Sequence, residues 1–170
     1  MSKISQYHIK VAAEAFAAGL LAHAECDVSV QYGANQPDYD LIAVKANATL
    51  RISVKGSQDG AWGLTQSYLQ GADYHRAADT WLSKQEKNIV FMLVQFENIE
   101  LGQCPRAYLA TPMEILQQLK ASSKGRGDTI LHENHTWSKR AHGYGTTDKL
   151  PDRWVFSAKR LDEIFRKYST

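Results

Sequence analysis

The segment spanning residues 37–56 constrains the fold more than any other part of the chain, because its pattern predicts a β-hairpin. Residues 40–44 and 50–54 are rich in Leu, Ile and Val and alternate in polarity, and a turn-favouring Asn lies between them. A loop centred on Asn47 and Ala48 would set position 40 opposite position 55, since the positions of antiparallel partners sum to a constant. The sequence therefore predicts both the hairpin and its register.

This hairpin would present one polar face and one apolar face. The polar face carries Asp40, Ser53 and Lys55. The apolar face, suited to a core, carries Leu41, Ala43, Ile52 and Val54. A carboxylate and an amine side by side suit phosphodiester chemistry, in which the acid holds a hard divalent cation. The amine then orients or activates water and neutralises charge growing on the phosphate.

A second carboxylate for such a metal is offered by Glu14, in a segment that reads as a helix from position 6 to position 23. Val11, Glu14, Ala18 and Leu21 recur there at spacings of three and four residues. An acid on an apolar stripe needs a partner, such as a metal ion. The alternative is that the apolar face of this alanine-rich helix is wide, and that Glu14 is solvated at its edge.

The order of helix acid, Pro-Asp-Tyr-Asp and Ser-Val-Lys resembles that of the PD-(D/E)XK nuclease-like superfamily. This superfamily includes restriction endonucleases, Holliday-junction resolvases and some homing endonucleases, and the resemblance covers roughly residues 6–62. Within it, Glu14 matches the acid of the first core helix, Asp40 the acid entering the second core strand, and Lys55 the lysine of the third. Asp38 is the other candidate for the strand acid, but Asp40 directly precedes the Leu-Ile-Ala run.

The resemblance implies a Mg²⁺-dependent or Mn²⁺-dependent endonuclease that hydrolyses phosphodiester bonds in double-stranded DNA. Glu14, Asp40 and the Val54 carbonyl would hold the metal, and Lys55 would activate water. A homodimer is expected because two strand cuts call for two sites.

One position departs from the pattern of the superfamily, which has Asp or Glu two residues before the lysine. This chain has Ser53 there, and its hydroxyl is neutral. Ser53 would either bind the metal through a water molecule or take no part in catalysis. Gln58 or Asp59 is close enough in sequence to substitute for the missing acid. The alternative function is a catalytically inactive nuclease fold that binds nucleic acid or a protein partner.

The remaining pattern predicts an α/β fold: a restriction-endonuclease-like αβββαβ core with a central mixed sheet flanked by helices. Helices are expected at residues 65–87, 112–121 and 157–168, from their apolar spacing and from a capping box at the start of the second. Strands are expected at residues 89–96, the sheet centre, and at 107–110, with an edge strand at 129–132 and a long loop at 141–151.

Length and composition fit a single nuclease-like domain over residues 1–170, with a core at about 6–121 and an accessory segment at about 122–170. Hydrophobic residues make up 44% of the chain and charged residues 22%, and no apolar run reaches the roughly 20 residues that span a bilayer. We therefore expect a cytoplasmic protein with no membrane segment. The two cysteines fit a reducing compartment.

Charge is unevenly distributed along the chain. Residues 1–119 contain 9 Lys or Arg against 12 Asp or Glu, whereas residues 120–170 contain 11 against 6. The basic residues of the second part lie around Gly-rich connections and beside aromatic residues, which is typical of a surface that follows a phosphate backbone. The expected nucleic-acid contacts are Lys124, Arg126, Lys139 and Arg140. The alternative is an ordinary solvated charged surface.

A second possible metal site is the group His132, Glu133, His135 and His142. Imidazoles and a carboxylate can bind zinc, but this spacing matches no established zinc signature. We therefore expect these histidines to lie at the surface or to face DNA.

Overall fold

The computed structural model of the protein describes residues 3–31 and 38–168. The described α-helices are Gln6–His23 (α1), Tyr74–Ser83 (α2), Pro112–Ala121 (α3) and Ala158–Tyr168 (α4). The described strands are Asp27–Val30 (β1), Leu41–Lys45 (β2), Ala48–Ser57 (β3), Ala61–Gly63 (β4), Ile89–Gln95 (β5), Arg106–Ala110 (β6), Ile130–His132 (β7), Asn134–Thr136 (β8) and Thr147–Lys149 (β9). None of the described helices is long and apolar enough to cross a membrane.

Two compact units divide the chain. Unit 1 contains the described residues within 1–59, 86–111 and 153–170, and unit 2 contains residues 60–85 and 112–152. Unit 1 is built on a five-stranded sheet with the strand order β1-β2-β3-β5-β6. Only the β3–β5 pair is parallel, and the other three pairs are antiparallel. The prediction of an α/β fold with a central mixed sheet is therefore confirmed.

The core of unit 1 lies between one face of this sheet and the helices α1 and α4. Its buried residues include Ala13, Ala17 and Leu21 of α1, Leu41, Ala43, Leu50 and Ile52 of the hairpin, and Leu161, Ile164 and Phe165 of α4. The α1 residues recur every four positions, so they form one stripe of the helix. Val11, which the sequence placed on the apolar stripe, is 47% exposed. The buried stripe is thus rotated away from the predicted one.

The predicted hairpin forms, but its predicted register is wrong by two positions. Leu41 pairs with Ile52 and Lys45 with Ala48, so position 40 faces position 53 rather than 55. The turn is tight because Ala46 takes a positive φ of 53°. A two-residue shift leaves every side chain on its predicted face, since the side-chain period of a strand is two. The apolar face predicted for the hairpin is accordingly the buried one.

The strand predicted at residues 89–96 is confirmed as β5, and all seven of its residues are buried. It is not the sheet centre, however, because β3 occupies the middle of the five-strand order. A continuous apolar run shows that both faces of a strand are covered, but it does not specify position within the sheet.

In unit 2, the predicted helix at residues 65–87 is largely replaced by other structure. A short 3-10 helix, Gln66–Tyr68, is followed by irregular backbone, and α2 begins only at Tyr74. Gly71 has a positive φ of 62°, which no α-helix contains. The side chain of Asp73 then accepts a hydrogen bond from the Arg76 backbone N–H and caps α2. The residue that caps the start of α2, Asp73, therefore lies inside the helix that the sequence predicted.

The second half of the chain contains more strand than the sequence predicted. β7 confirms the predicted strand near residue 130 and pairs with β4. The loop predicted at residues 141–151 is wrong in part, because it contains β9, which pairs with β8. The predicted helices at 112–121 and 157–168 are confirmed as α3 and α4 to within one residue. Because α4 contributes to the sheet core, the end of the predicted accessory segment belongs to unit 1.

Candidate active site

Asp40 is held in place by the backbone of both neighbouring strands. Its N–H donates to the Ile52 carbonyl at 2.8 Å, and its carbonyl accepts from Gln31 N–H at 2.9 Å. Its carboxylate Oδ2 accepts a hydrogen bond from the Val54 backbone N–H at 2.7 Å. The half-buried carboxylate is therefore fixed at the point where β2 begins, beside the middle of β3.

Glu14 reaches this place because α1 lies very close to β3. The contact occurs at Gly56, where an added Cβ would lie 2.8 Å from Ala13 Cβ and 2.9 Å from Ile9 Cγ2. Only glycine allows the helix to come so close, and Gly56 directly follows Lys55 in the sequence. As a result, one turn of α1 carries Glu14 to the start of β2, next to Asp40.

The charge of Asp40 acts on the carboxyl group of Glu14. The pKa of Glu14 is raised, first by burial and then by the negative charge of Asp40 and a hydrogen bond with it, while Lys10 acts in the opposite direction. Glu14 Oε1 is buried and has no hydrogen-bond partner within the described part of the chain. Lys10 Nζ lies 3.7 Å from it, an ion-pair distance that is too long for a hydrogen bond.

The other predicted members of the site lie on β3. Ser53 is 2% exposed, and Lys55 is exposed two residues further along the strand. Val54, between them, donates its backbone N–H to Asp40. The structure thus brings together Glu14, Asp40 and the Val54 backbone, and it sets Lys55 directly beside them in the chain.

Neither substitute for the missing acid is free for that role. The Gln58 amide makes two hydrogen bonds to the backbone of Ile4, donating to its carbonyl at 2.6 Å and accepting from its N–H at 3.0 Å. Asp59 accepts from Ser57 Oγ at 2.9 Å and lies 3.9 Å from Lys3 Nζ. Both side chains therefore anchor the N-terminal segment of unit 1.

Asp38, the other candidate for the strand acid, is exposed before β2, and Pro37 lies outside the described residues. The structure brings together two carboxylates, which are hard oxygen ligands of the kind that Mg²⁺ takes, and the Val54 carbonyl is the third ligand that the resemblance implies. An orphaned buried carboxylate oxygen on Glu14 also fits a cation. Within residues 3–31 and 38–168, no group of three or more His, Cys, Asp or Glu side chains is arranged to hold a metal.

The histidine group in unit 2 is arranged for packing. The rings of His132 and His135 stack with centroids 4.4 Å apart, and Trp137 meets His135 edge-on at 4.5 Å. His132 Nε2 lies 3.4 Å from Asp128 Oδ2. Burial alone would raise the pKa of Asp128, but hydrogen bonds from His132 and the Ile130 backbone N–H outweigh it and lower the pKa. This geometry does not favour a zinc site.

The four predicted nucleic-acid contacts lie in two loops of unit 2. Lys124, Lys139 and Arg140 are exposed. Arg126 is half-buried, with its guanidinium 4.6 Å from the ring centroid of Tyr74. These loops approach each other at Gly143, where an added Cβ would lie 3.0 Å from the Cα atom of Ser123. Sequence reasoning did not detect this contact.

Sequence reasoning also missed Gly56 and Lys10. The position of Gly56, directly after Lys55, gave no sign that a helix would pack against it. Lys10 could have been found, because a lysine four residues before a glutamate lies beside it on a helix. Asp148, which joins the two basic loops, has no signal in the sequence.

The fold and the candidate site define a mixed α/β protein with two adjacent carboxyl groups at the start of the inner strand β2 and a lysine on the central strand β3. Comparison with protein-family models, with curated proteins and with solved structures gives no match to this chain.

Proposed function

We propose that the protein is a metal-dependent endonuclease that hydrolyses phosphodiester bonds in DNA. The observation that carries this proposal is the adjacency of Glu14 and Asp40, together with the buried Glu14 Oε1 atom, which has an ion pair with Lys10 but no hydrogen-bond partner among the described residues. The charge of Asp40 opposes ionisation of Glu14, and a divalent cation bound between the two carboxylates would offset that cost.

In this proposal Glu14, Asp40 and the Val54 carbonyl hold Mg²⁺ or Mn²⁺. The metal supplies Lewis acidity and lowers the pKa of bound water. The Val54 N–H orients Asp40 through their 2.7 Å hydrogen bond, and the exposed Lys55 ammonium orients or activates water and neutralises the charge growing on the phosphate. Ser53 has no charge to offer the metal and acts at most through water.

Element order adds support from the resemblance to PD-(D/E)XK nucleases. Along the chain, α1 is followed by β1, β2 and β3, then by α2 and β5, which follows the αβββαβ order that the resemblance implies, except that β4 and a 3-10 helix are inserted before α2 and that α2 belongs to unit 2. The proposal includes a homodimer, because cutting both strands of a duplex requires two sites. It also includes Lys124, Arg126, Lys139 and Arg140 as backbone contacts.

Cleavage assays test the chemistry. The purified protein is incubated with supercoiled, linear and branched DNA in the presence of Mg²⁺ or Mn²⁺, alongside the Lys55→Ala variant. Lys159→Ala, which removes an exposed lysine of α4, is the matched control. We expect cleavage by the wild type and the control and a loss of at least about 100-fold in Lys55→Ala. Absence of cleavage throughout, or full activity of Lys55→Ala, contradicts the proposal.

A second function is a catalytically inactive nuclease fold that binds nucleic acid or a protein partner. Ser53 favours it, since the acid expected there is replaced by a hydroxyl and neither Gln58 nor Asp59 is available to substitute. The two carboxyl groups and nearby lysines would then serve only as a charge network within unit 1.

Calorimetric titration with Mn²⁺ separates the two functions. The endonuclease predicts saturable binding that is lost in Asp40→Asn and retained in Asp38→Asn, the exposed neighbour. The inactive fold predicts that neither the wild type nor the variants bind Mn²⁺, with or without DNA.

A further inference from the structure

Asp148 locks together the two basic loops of unit 2, residues 122–127 and 137–146. Its Oδ2 atom accepts three hydrogen bonds: from Ser122 Oγ at 2.5 Å, from the Ser123 backbone N–H at 3.0 Å and from Trp137 Nε1 at 2.7 Å. Charge-assisted bonds of this kind are stronger than neutral ones. Two loops that are distant in sequence are therefore held side by side at their bases.

Gly143 brings the same loops into van der Waals contact. An added Cβ would lie 2.6 Å from ring atoms of Trp137 and 3.0 Å from Ser123 Cα, so no larger residue fits there. The antiparallel strands β8 and β9 flank the second loop and hold its two ends together. The loops thus form one surface, which we call the two-loop surface, rather than two independent segments.

The two-loop surface carries cations and no acid. Residues 122–127 and 137–146 include Lys124, Arg126, Lys139 and Arg140, and neither loop contains Asp or Glu. Such a concentration of positive charge attracts a phosphate backbone.

One aromatic ring on this surface is available to a ligand. Tyr144 is 50% exposed in the second loop. Trp137, in contrast, is half-buried and donates its indole N–H to Asp148. A half-exposed ring in a loop that also carries cations can stack on an unpaired base, because every base offers a π-face. Bases inside a duplex are already stacked on each other and cannot reach such a ring.

We propose that the two-loop surface binds an unpaired strand of DNA, with the four cations on its phosphates and Tyr144 stacked on a base. This inference rests on the proposed action on DNA and narrows its substrate to DNA that contains an unpaired strand, such as a flap, gap or junction. Asp148 is a positioning residue, since it sets the separation of the loops without contacting the ligand.

Binding without metal tests this directly, using a fluorescent single strand of about 20 nucleotides and its duplex in EDTA. Tyr144→Leu keeps an apolar side chain but removes the π-face, and Tyr144→Phe is the matched control. We expect Tyr144→Leu to weaken single-strand binding about tenfold or more, Tyr144→Phe to bind like the wild type, and duplex binding to be equal in all three. Equal losses on both DNAs, no loss, or no single-strand binding by the wild type overturns the proposal.

Photo-crosslinking provides a readout that needs no variant. A single strand containing 5-iododeoxyuridine is irradiated with the wild-type protein, and the crosslinked tryptic peptide is identified. We expect the peptide of residues 141–149, which contains Tyr144; a crosslink that maps only elsewhere overturns the assignment.

Asp148→Asn tests the positioning role through the sign of its effect. Removing a negative charge beside four cations would by itself tighten phosphate binding, whereas loss of the lock would weaken it. We expect weaker single-strand binding with an unchanged circular dichroism spectrum of the folded protein, and unchanged or tighter binding contradicts the role of Asp148. All of these binding assays contain EDTA, so their results do not depend on metal-dependent cleavage. A failed cleavage assay therefore does not decide the binding proposal, and a failed binding assay does not decide the cleavage proposal.

Discussion

Glu14 and Asp40 illustrate at the scale of single residues how a site can oppose stability. Burial and the charge of Asp40 both raise the pKa of Glu14, so ionising this side chain costs more in the folded protein than in the unfolded chain. A carboxyl group with a raised folded pKa contributes stability below its unfolded pKa and loses it as pH rises through the folded value. At neutral pH the ionised Glu14 is therefore a destabilising group.

Glu14→Gln should raise the free energy of unfolding at pH 7 by a few tenths of a kcal/mol to about 1 kcal/mol, because the amide carries no charge to desolvate. The gain should disappear as pH falls below the ordinary value of 4.5, where both side chains are neutral. Urea unfolding at pH 7 and pH 4 measures both. Glu100→Gln, at an exposed loop position, is the control and should show no pH-dependent difference. A variant less stable than the wild type at pH 7 would contradict the assigned environment.

Gly56→Ala should destabilise unit 1 by about 1–3 kcal/mol, since the new Cβ would overlap Ala13 and Ile9 and push α1 from β3. It should also weaken Mn²⁺ binding, because Glu14 moves with the helix. Thermal melting and calorimetric titration measure the two effects. The matched control is Gly19→Ala in α1, where nothing lies within 4 Å of the added Cβ; it should stabilise by about 0.5–1 kcal/mol. Effects of the same sign would refute the close-packing argument.

At the scale of elements, the β2–β3 turn explains why the register was predicted incorrectly. The predicted loop, centred on Asn47 and Ala48, did not allow for an alanine in a left-handed conformation. Ala46 does so with a φ of 53°, and pairing continues to Lys45 and Ala48. Tertiary burial of the apolar hairpin face outweighs the local strain of about 1–2 kcal/mol.

Ala46→Gly should therefore stabilise the protein by about 0.5–1 kcal/mol, because glycine adopts a positive φ without the Cβ clash and the remaining gain is offset by chain entropy. The denaturant midpoint measures the change. Ala12→Gly, at an exposed position of α1, is the control and should cost about 1 kcal/mol. If both substitutions destabilise equally, Ala46 is not strained.

At the scale of the whole molecule, unit 1 is assembled from three separated parts of the chain. Helix α4, the last described element, completes the core that begins with α1. Arg160 strengthens this attachment: it is 6% exposed, and its Nε donates to the Leu109 carbonyl at 3.0 Å. Helix α4 therefore stabilises the sheet that carries the candidate site.

Ile164→Ala should lower the free energy of unfolding by about 2–5 kcal/mol, because the removed atoms come from a side chain that is 2% exposed. Chemical denaturation followed by circular dichroism measures the loss. Leu101→Ala is the matched control, since Leu101 is 95% exposed, and it should change stability by less than about 0.5 kcal/mol. A loss below about 1 kcal/mol in Ile164→Ala would show that α4 is an appendage and not part of the core.

Local pattern was enough to predict α1, α3, α4, β5 and the two faces of the hairpin. Amphipathic spacing, a capping box and alternation are properties of neighbouring residues, and burial enforces them. The prediction of one helix over residues 65–87 was wrong because the apolar spacing continued across Gly71 and Asp73. The spacing favours a continuous helix, whereas Gly71 and Asp73 favour a break, and only the packing of unit 2 decides between them.

The sequence by itself determined the mixed α/β class, the polar and apolar faces of β2 and β3, and the identity of the carboxylates and lysine offered to a site. The tertiary structure alone decided the register of the hairpin, the approach of α1 at Gly56, the adjacency of Glu14 and Asp40, and the joining of two basic loops by Asp148. The physical reason is range. Periodicity is determined by immediate neighbours along the chain. The packing of α1 at Gly56 and the adjacency of Glu14 and Asp40 join residues tens of positions apart, and the hairpin register depends on a turn conformation that periodicity does not specify.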